Sequence, residues 1–192
     1  VYGRQFGLKN PQEELRLAST HETEGRGTTK YQQLYQGIPV MAGELIVNTN
    51  AQGGLLSING EVSPDLDISV APSIDAMQAK LMALQEIANA YGLNASDVTA
   101  SEPELWIYDA RLMNGEDGTP AHLVWRMEIT SENAPLRELV LVNSQTGKIS
   151  LHFNQIDTAW TGNVSSAYAK EEVIEESVFF AAGPVSAPVT GV

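Results

Sequence analysis

The chain has 192 residues, 43% of them hydrophobic, with no cysteine, and 24 acidic against 11 basic residues give a formal net charge of −13. That content supports a packed core in one large or two small domains, and the missing cysteine excludes disulfides, thiolate metal sites and a cysteine nucleophile. The acidic balance speaks against nucleic acid and anionic membrane surfaces, which are bound through clustered basic side chains, and no apolar run reaches the roughly 18 residues of a membrane span.

Val1 is not an initiator methionine, and "VYGRQFGL" reads as the end of a helix already under way. The chain is therefore expected to be a fragment with a signal sequence upstream. Asn10-Pro11-Gln12-Glu13 is a helix start: Asn10 can cap, proline suits the first helical position, and Glu13 stands where a capping-box carboxylate belongs. "LRLAST" (15–20) then alternates as a strand, "HETEGRG" (21–27) is a polar loop, and "TTKYQQLYQ" (28–36) alternates again. Alternation places Tyr31, Gln33 and Tyr35 on one side and Lys30, Gln32 and Leu34 on the other. Gly37-Ile38-Pro39 interrupts the ladder, since a proline without an N–H belongs at a strand start, an edge or a bulge. "AGELIVNTN" (42–50), the turn "AQGG" (51–54) and "LLSINGEV" (55–62) complete an antiparallel meander.

"SPDLDISVAP" (63–72), with its turn residues and two prolines, marks a module boundary. A helix is predicted over 73–91, capped by Ser73, with an apolar stripe of Met77, Leu81, Leu84, Ala88 and Tyr91 and Gly92 as its stop. Four strands follow at 104–113, 121–130, 137–143 and 148–153. In the second, Leu123, Trp125, Met127 and Ile129 share a face, and in the last Ile149, Leu151 and Phe153 do. Beyond 154, "AKEEVIEES" (169–177) reads as a short acidic helix and the uncharged 178–192 as extended linker. The pattern predicts an α+β fold of two antiparallel-sheet modules, the second a helix packed on a four-stranded antiparallel sheet.

Catalytic signals are sparse. "HETEG" (21–25) begins like a zinc-hydrolase motif but has glycine where the second histidine must stand. His122 and His152 lie on polar strand faces, where exposed histidines are the ordinary case; a hydrolase centred on either is the weakest reading. No nucleophile elbow, dinucleotide fingerprint or phosphate loop occurs, and Glu13-Glu14 and Glu171-Glu172 lie in solvated segments. No residue is assigned a catalytic or metal role, so a binding, folding or interaction role is favoured.

Residues 31–62 resemble the fungalysin/thermolysin propeptide (FTP) module through Tyr31, Gln33, Tyr35, Gly37, Pro39, Val40, Gly53, Asn59 and Gly60. "FGLKNPQEELRL" (6–17) is similar to the segment that precedes the motif, and about 72–153 resembles a PepSY domain, with Thr146 and Gly147 in its Gln-Thr-Gly turn. Asn143-Ser144 departs from the Asp-Ala common before that turn, as Met41 does from the aromatic common after Pro-Val. The resemblance implies an FTP-like module at 1–65, a PepSY (cystatin-like) domain at 72–155, and a tail at 156–192 leading toward a catalytic domain. It further implies the prosegment of a secreted thermolysin-like (M4) zinc metalloendopeptidase, acting in cis on its cognate catalytic domain as chaperone and inhibitor. Zinc would then belong to the protease and no cofactor to this chain. The segment expected to enter the protease cleft is Asn154, Gln155, Ile156 and Asp157. The alternative is a stand-alone secreted or cell-surface PepSY-type binding module without protease.

Overall fold

A computed structural model describes residues 3–113 and 119–156 of the chain. The predicted turn at 114–118, the acidic helix at 169–177, the linker beyond it and Asp157 lie outside the described residues. α1 (Pro11–Glu14) is a single turn with proline at its start, and it passes directly into β1 (Leu15–Thr23). β2 (Arg26–Tyr35), β3 (Ile38–Asn50) and β4 (Leu55–Glu61) complete an antiparallel meander.

Gly37-Ile38-Pro39 does not interrupt this ladder. Gln36 and Gly37, with φ of 49° and 84°, form the two-residue turn of a tight hairpin, and Tyr35 pairs with Ile38 and Leu34 with Pro39. The break falls one step inward. Between the pairs Gln32–Glu44 and Leu34–Pro39, residues 40–43 of β3 stand opposite Gln33 alone, with Ala42 at φ 58°. This excursion is a large β-bulge. It ends the expected alternation of residues 30–35, because Gln32 and Gln33 are both buried.

The same excursion frees Val40 to pair in parallel with Ile107 of β6 (Glu104–Tyr108). Through that contact the two predicted sheets become one nine-stranded sheet. Its path runs β1-β2-β3-β6-β7-β8-β9, with β4 on β3 and a short β5 (Thr99–Ala100) on β7. β7 (His122–Ser131), β8 (Leu136–Asn143) and β9 (Ile149–Asn154) are successive antiparallel neighbours. The fold is α+β, and Val40, Ile107 and Leu123 form a core cluster at the join.

α2 (Ala76–Tyr91) is capped by Asp75, not Ser73, in a reciprocal capping box with Gln78, and Gly92 in the left-handed region ends it. It also lies rotated from the predicted stripe. Ala79, Ala83, Ile87 and Ala88 are buried, whereas Met77 and Leu81 are 62% and 60% exposed. Met127, Ile129, Val140 and Val142 fill the sheet side of this core, so small helix residues allow the closest approach. Ile87→Ala should therefore cost about 2–4 kcal/mol in urea unfolding. Leu81→Gln should change stability by no more than about 0.5 kcal/mol; a larger effect at Leu81 than at Ile87 would restore the predicted stripe.

The register slips again between β8 and β9 at Leu141/Val142. Ile149 consequently packs into the α2-side core and Leu151 into a cluster on the reverse face, with Tyr108, Val124 and Leu141. The expected common face of Ile149, Leu151 and Phe153 is thus broken by one inserted residue.

Candidate functional site

The most developed polar constellation lies where the meander meets β6. The bulge turns two consecutive glutamines inward, and each finds backbone partners. Gln32 donates from Nε2 to the carbonyls of Val40 (2.7 Å) and Gly43 (3.0 Å) and so holds the excursion of β3 in shape. Gln33 clasps the backbone of Ser63 with both ends of its amide: Nε2 donates to the Ser63 carbonyl (2.7 Å), and Oε1 accepts from the Ser63 N–H (2.8 Å). Gly43 is required beside it, because a Cβ there would lie 2.7 Å from Gln33 Oε1.

Ser63 carries the chain of bonds onward. Its hydroxyl donates to Oδ2 of Asp109, which directly follows β6 and is fully buried. Arg111 grips the same carboxylate from Nη2 (2.7 Å) and Nε (2.9 Å), and its backbone N–H adds a bond of 3.1 Å. Burial pushes the Asp109 carboxyl up, but the Arg111 and Ser63 hydrogen bonds outweigh it and hold the carboxyl below its usual range. Sequence reasoning missed both Asp109 and Ser63. The available signal was an acid placed directly after the apolar run "LWIY" with an arginine two residues on.

The other singled-out residues have varied placements. Tyr31 packs beside Leu8, Leu45 and Val62, while Tyr35 joins the Val40 cluster. Gly37 and Gly53 are open turn positions, Asn59 is exposed, and Gly60 lies hard against the backbone of Glu44. Pro39 sits at the start of β3. Thr146 and Gly147 belong to a turn ordered by Asn143, whose Oδ1 accepts from the N–H groups of Gln145 and Thr146. That turn clips the entry to α2, since the Ser144 carbonyl accepts from Ser73 and Ile74 and the Gln145 side chain donates to Ala71. Asn154 is the last residue of β9 and pairs with Glu138, Gln155 still donates its N–H to the Arg137 carbonyl, and Ile156 beyond it is exposed.

His122 and His152 do not meet. The His122 ring contacts Tyr108 edge-on and bonds Ser150, while His152 pairs with Glu138. Among the described residues, no group of three or more His, Asp or Glu side chains is placed to hold a metal ion, and no helix is long and apolar enough to cross a membrane. A shallow cleft of about 280 Å³ beside Gln33 and Ser63 is bordered by Lys9 and Asp65, which form an exposed ion pair at 3.3 Å. The arrangement can bolt two parts of a sheet together and present strand edges and turns.

Residues 13–62 match the family model of the fungalysin/thermolysin propeptide motif. The chain is 26% identical over 142 residues to the thermolysin of Alicyclobacillus acidocaldarius, a match covering 72% of this chain and 25% of that protein. It is 24% identical to the bacillolysin of Bacillus cereus across 97% of this chain and 31% of the relative. The hemagglutinin/proteinase of Vibrio cholerae is 24% identical over 70% of this chain and 22% of its own length. The chain thus spans about a quarter to a third of these relatives. Among solved structures, the Bacillus megaterium YpeB C-terminal domain aligns at 18% identity and a TM-score of 0.42, over 74% of this chain and 57% of that one. Residues 13–62, the meander that Gln33 clasps to Ser63, match the fungalysin/thermolysin propeptide motif, and the chain around them is similar to a segment of thermolysin-type proteases.

Proposed function

We propose that this chain is the prosegment of a secreted thermolysin-like (M4) zinc metalloendopeptidase, acting in cis as the folding template and inhibitor of its catalytic domain. In this reading residues 1–65 are the propeptide module, 72–155 a PepSY domain, and 156–192 the connection toward the protease, which carries the zinc. The observation that carries it is the propeptide-motif match over residues 13–62. Supporting it, the residues of that motif do structural work here: Gln33 and Val40 join the meander to β6. A template must hold its own shape while its partner is still unfolded, and a sheet stitched across two modules meets that need. The same surface, complementary to the near-native protease, then blocks it. Asn154, the last residue of the edge strand β9, with Gln155 and Ile156 after it, is the start of the segment assigned to the cleft, with Asp157 next in line.

The test is a titration of the 192-residue chain against the mature protease of the same precursor. The expected result is dose-dependent inhibition, together with faster recovery of activity when the unfolded protease is diluted into buffer containing the chain. Neither effect at concentrations up to about 100 μM, where specific association is normally evident, would sink the proposal.

A further inference from the structure

The bulkiest exposed apolar side chains of α2 lie on its outer side. Ala79, Ala83 and Ala88 line the core, while Met77 and Leu81 are more than half exposed and Met82 is 45% exposed. A helix apolar on both sides is ordinarily covered on both, and contiguous exposed apolar surface marks an interaction site. Beside Leu81 and Met82 runs an open groove of about 740 Å³. One wall is α2, through Leu81, Met82 and Glu86; the other is the turn into β9, through Gly147, Lys148 and Ile149. The walls approach closely, since a Cβ added to Gly147 would lie 2.7 Å from Met82 Sδ and 3.0 Å from Ile74 Cδ1. They also carry opposite charges. Lys80 of α2 is taken up by Glu102, but among the described residues neither Glu86 nor Lys148 enters an ion pair.

We propose that this groove takes a second copy of the chain, forming a weak two-fold dimer. In such an interface the same patch serves both partners, so whatever residue i meets as j, residue j meets as i. A two-fold axis through the middle of the groove, normal to the surface, exchanges its walls. α2 of one copy then lies over the 147–149 turn of the other, and Glu86 of each copy meets the partner's Lys148. The contact gains two equivalent ion pairs around an apolar centre made by Leu81 and Met82 from both sides, where the unbranched methionine adapts to the fit. The net charge of −13 makes two copies repel, so they can meet only where the surface is locally neutral; the groove, with one acid facing one base, is such a place. α2 has 16 residues and is therefore about 24 Å long. A strip of that length and two helix diameters wide covers roughly 500 Å² per copy, the low end for a specific interface, which fits dissociation at about 10–100 μM. At lower concentrations the chain is monomeric and Leu81 adds nothing to its stability. The dimer is a property of this chain and stands whether or not the prosegment reading does.

The test is sedimentation velocity on the 192-residue chain over about 2–300 μM, a range that brackets the expected dissociation. The weight-average mass should rise from 20.7 kDa toward twice that value. Leu81→Asp should hold the chain at the monomer mass throughout, because it forces two carboxylates into the apolar centre, and should leave the circular dichroism spectrum unchanged. Glu86→Lys and Lys148→Glu should each weaken association about tenfold, since either one turns both exposed ion pairs into like-charge contacts. Combined in one chain, the two reversals should restore the wild-type mass curve. A monomer across the whole range would overturn the dimer, as would a dimer that Leu81→Asp leaves intact. Charge reversals that fail to compensate one another would overturn it too, and they decide alone should Leu81→Asp not fold. A chain that stays monomeric yet inhibits the mature protease less well as Leu81→Asp would also overturn it, and would give this face to the catalytic domain.

Discussion

Gly60→Ala should be the most damaging single-methyl change in the propeptide motif, lowering stability by about 3 kcal/mol or more. Two costs coincide there. Gly60 has φ 123°, a region that residues with a Cβ rarely enter. A Cβ built on it would also lie 2.1 Å from the Glu44 carbonyl oxygen and 3.1 Å from Leu45 Cα. Both contacts are backbone in the paired strand β3, with Leu45 directly opposite Gly60, so no side chain can swing aside. Relief would require parting β4 from β3 and drawing Leu45, 3% exposed, out of its cluster with Leu8 and Val62. Gly37→Ala makes the contrast. Gly37 has φ 84° but nothing within 4 Å of an added Cβ, so only the left-handed backbone cost of about 1–2 kcal/mol applies. Urea-unfolding midpoints of the two variants measure the difference. If Gly37→Ala proved as harmful as Gly60→Ala, close approach of β4 to β3 would not be the reason that the motif has glycine there.

How far these features could be read from sequence depended on the range of the interaction behind them. The meander was legible because alternation and turn residues act over a few positions: β4 lies where the pattern put it, while β2 begins at Arg26, inside the predicted loop, and β3 at Ile38, inside the predicted break. Its bulge was not, because alternation cannot show that residues 40–43 of β3 oppose Gln33 alone. The merging of two sheets into one was also hidden, since it rests on Val40 meeting Ile107, a pairing that no local signal announces. On α2 the helical period was plain but the buried face was misassigned. Hydrophobicity ranks Met77 and Leu81 above alanine, while the sheet already supplies the bulk and selects Ala79 and Ala83 for closeness. The cap moved two residues because Ser73 is drawn off to Ser144 and Gln145, leaving Asp75 to take the helix N–H groups. Gln33 came to notice only through family resemblance. Ser63, which it clasps, lies 30 residues along the chain, and Asp109, which Ser63 bonds in turn, lies 46 residues beyond that, out of reach of any spacing argument.

Asp109→Ala should destabilise the chain by about 2–3 kcal/mol at neutral pH. The variant leaves the buried Ser63 hydroxyl without its acceptor and strips Arg111 of three guanidinium bonds and one backbone N–H bond to the carboxylate. The figure stays below that for a wholly buried ion pair because the Arg111 side chain is 61% exposed, so water screens part of the attraction and rehydrates the guanidinium once it is free. Asp109→Asn retains the shape and an acceptor for Ser63, and should cost less. The pH dependence separates charge from shape. The Asp109 carboxyl is held below its usual range, since the Arg111 and Ser63 bonds outweigh the upward push of burial. A carboxyl depressed in the fold stabilises at pH values above its unfolded value of about 3.9, and that contribution is lost as pH falls through the folded value. Wild type should therefore lose more stability than Asp109→Asn between pH 5 and pH 2.5, measured as urea midpoints. Equal losses would mean that the carboxylate charge contributes nothing to the junction. Gln33→Ala, combined with Asp109→Ala, then asks whether the bolt acts as a unit. Both residues hold Ser63, one by its backbone and one by its hydroxyl. Once either is gone Ser63 is released, and the second substitution has less left to break. The double variant should thus cost less than the sum of the singles, by more than the roughly 0.5 kcal/mol within which independent sites add. Strict additivity would show Gln33 and Asp109 to be separate fastenings that happen to share a residue.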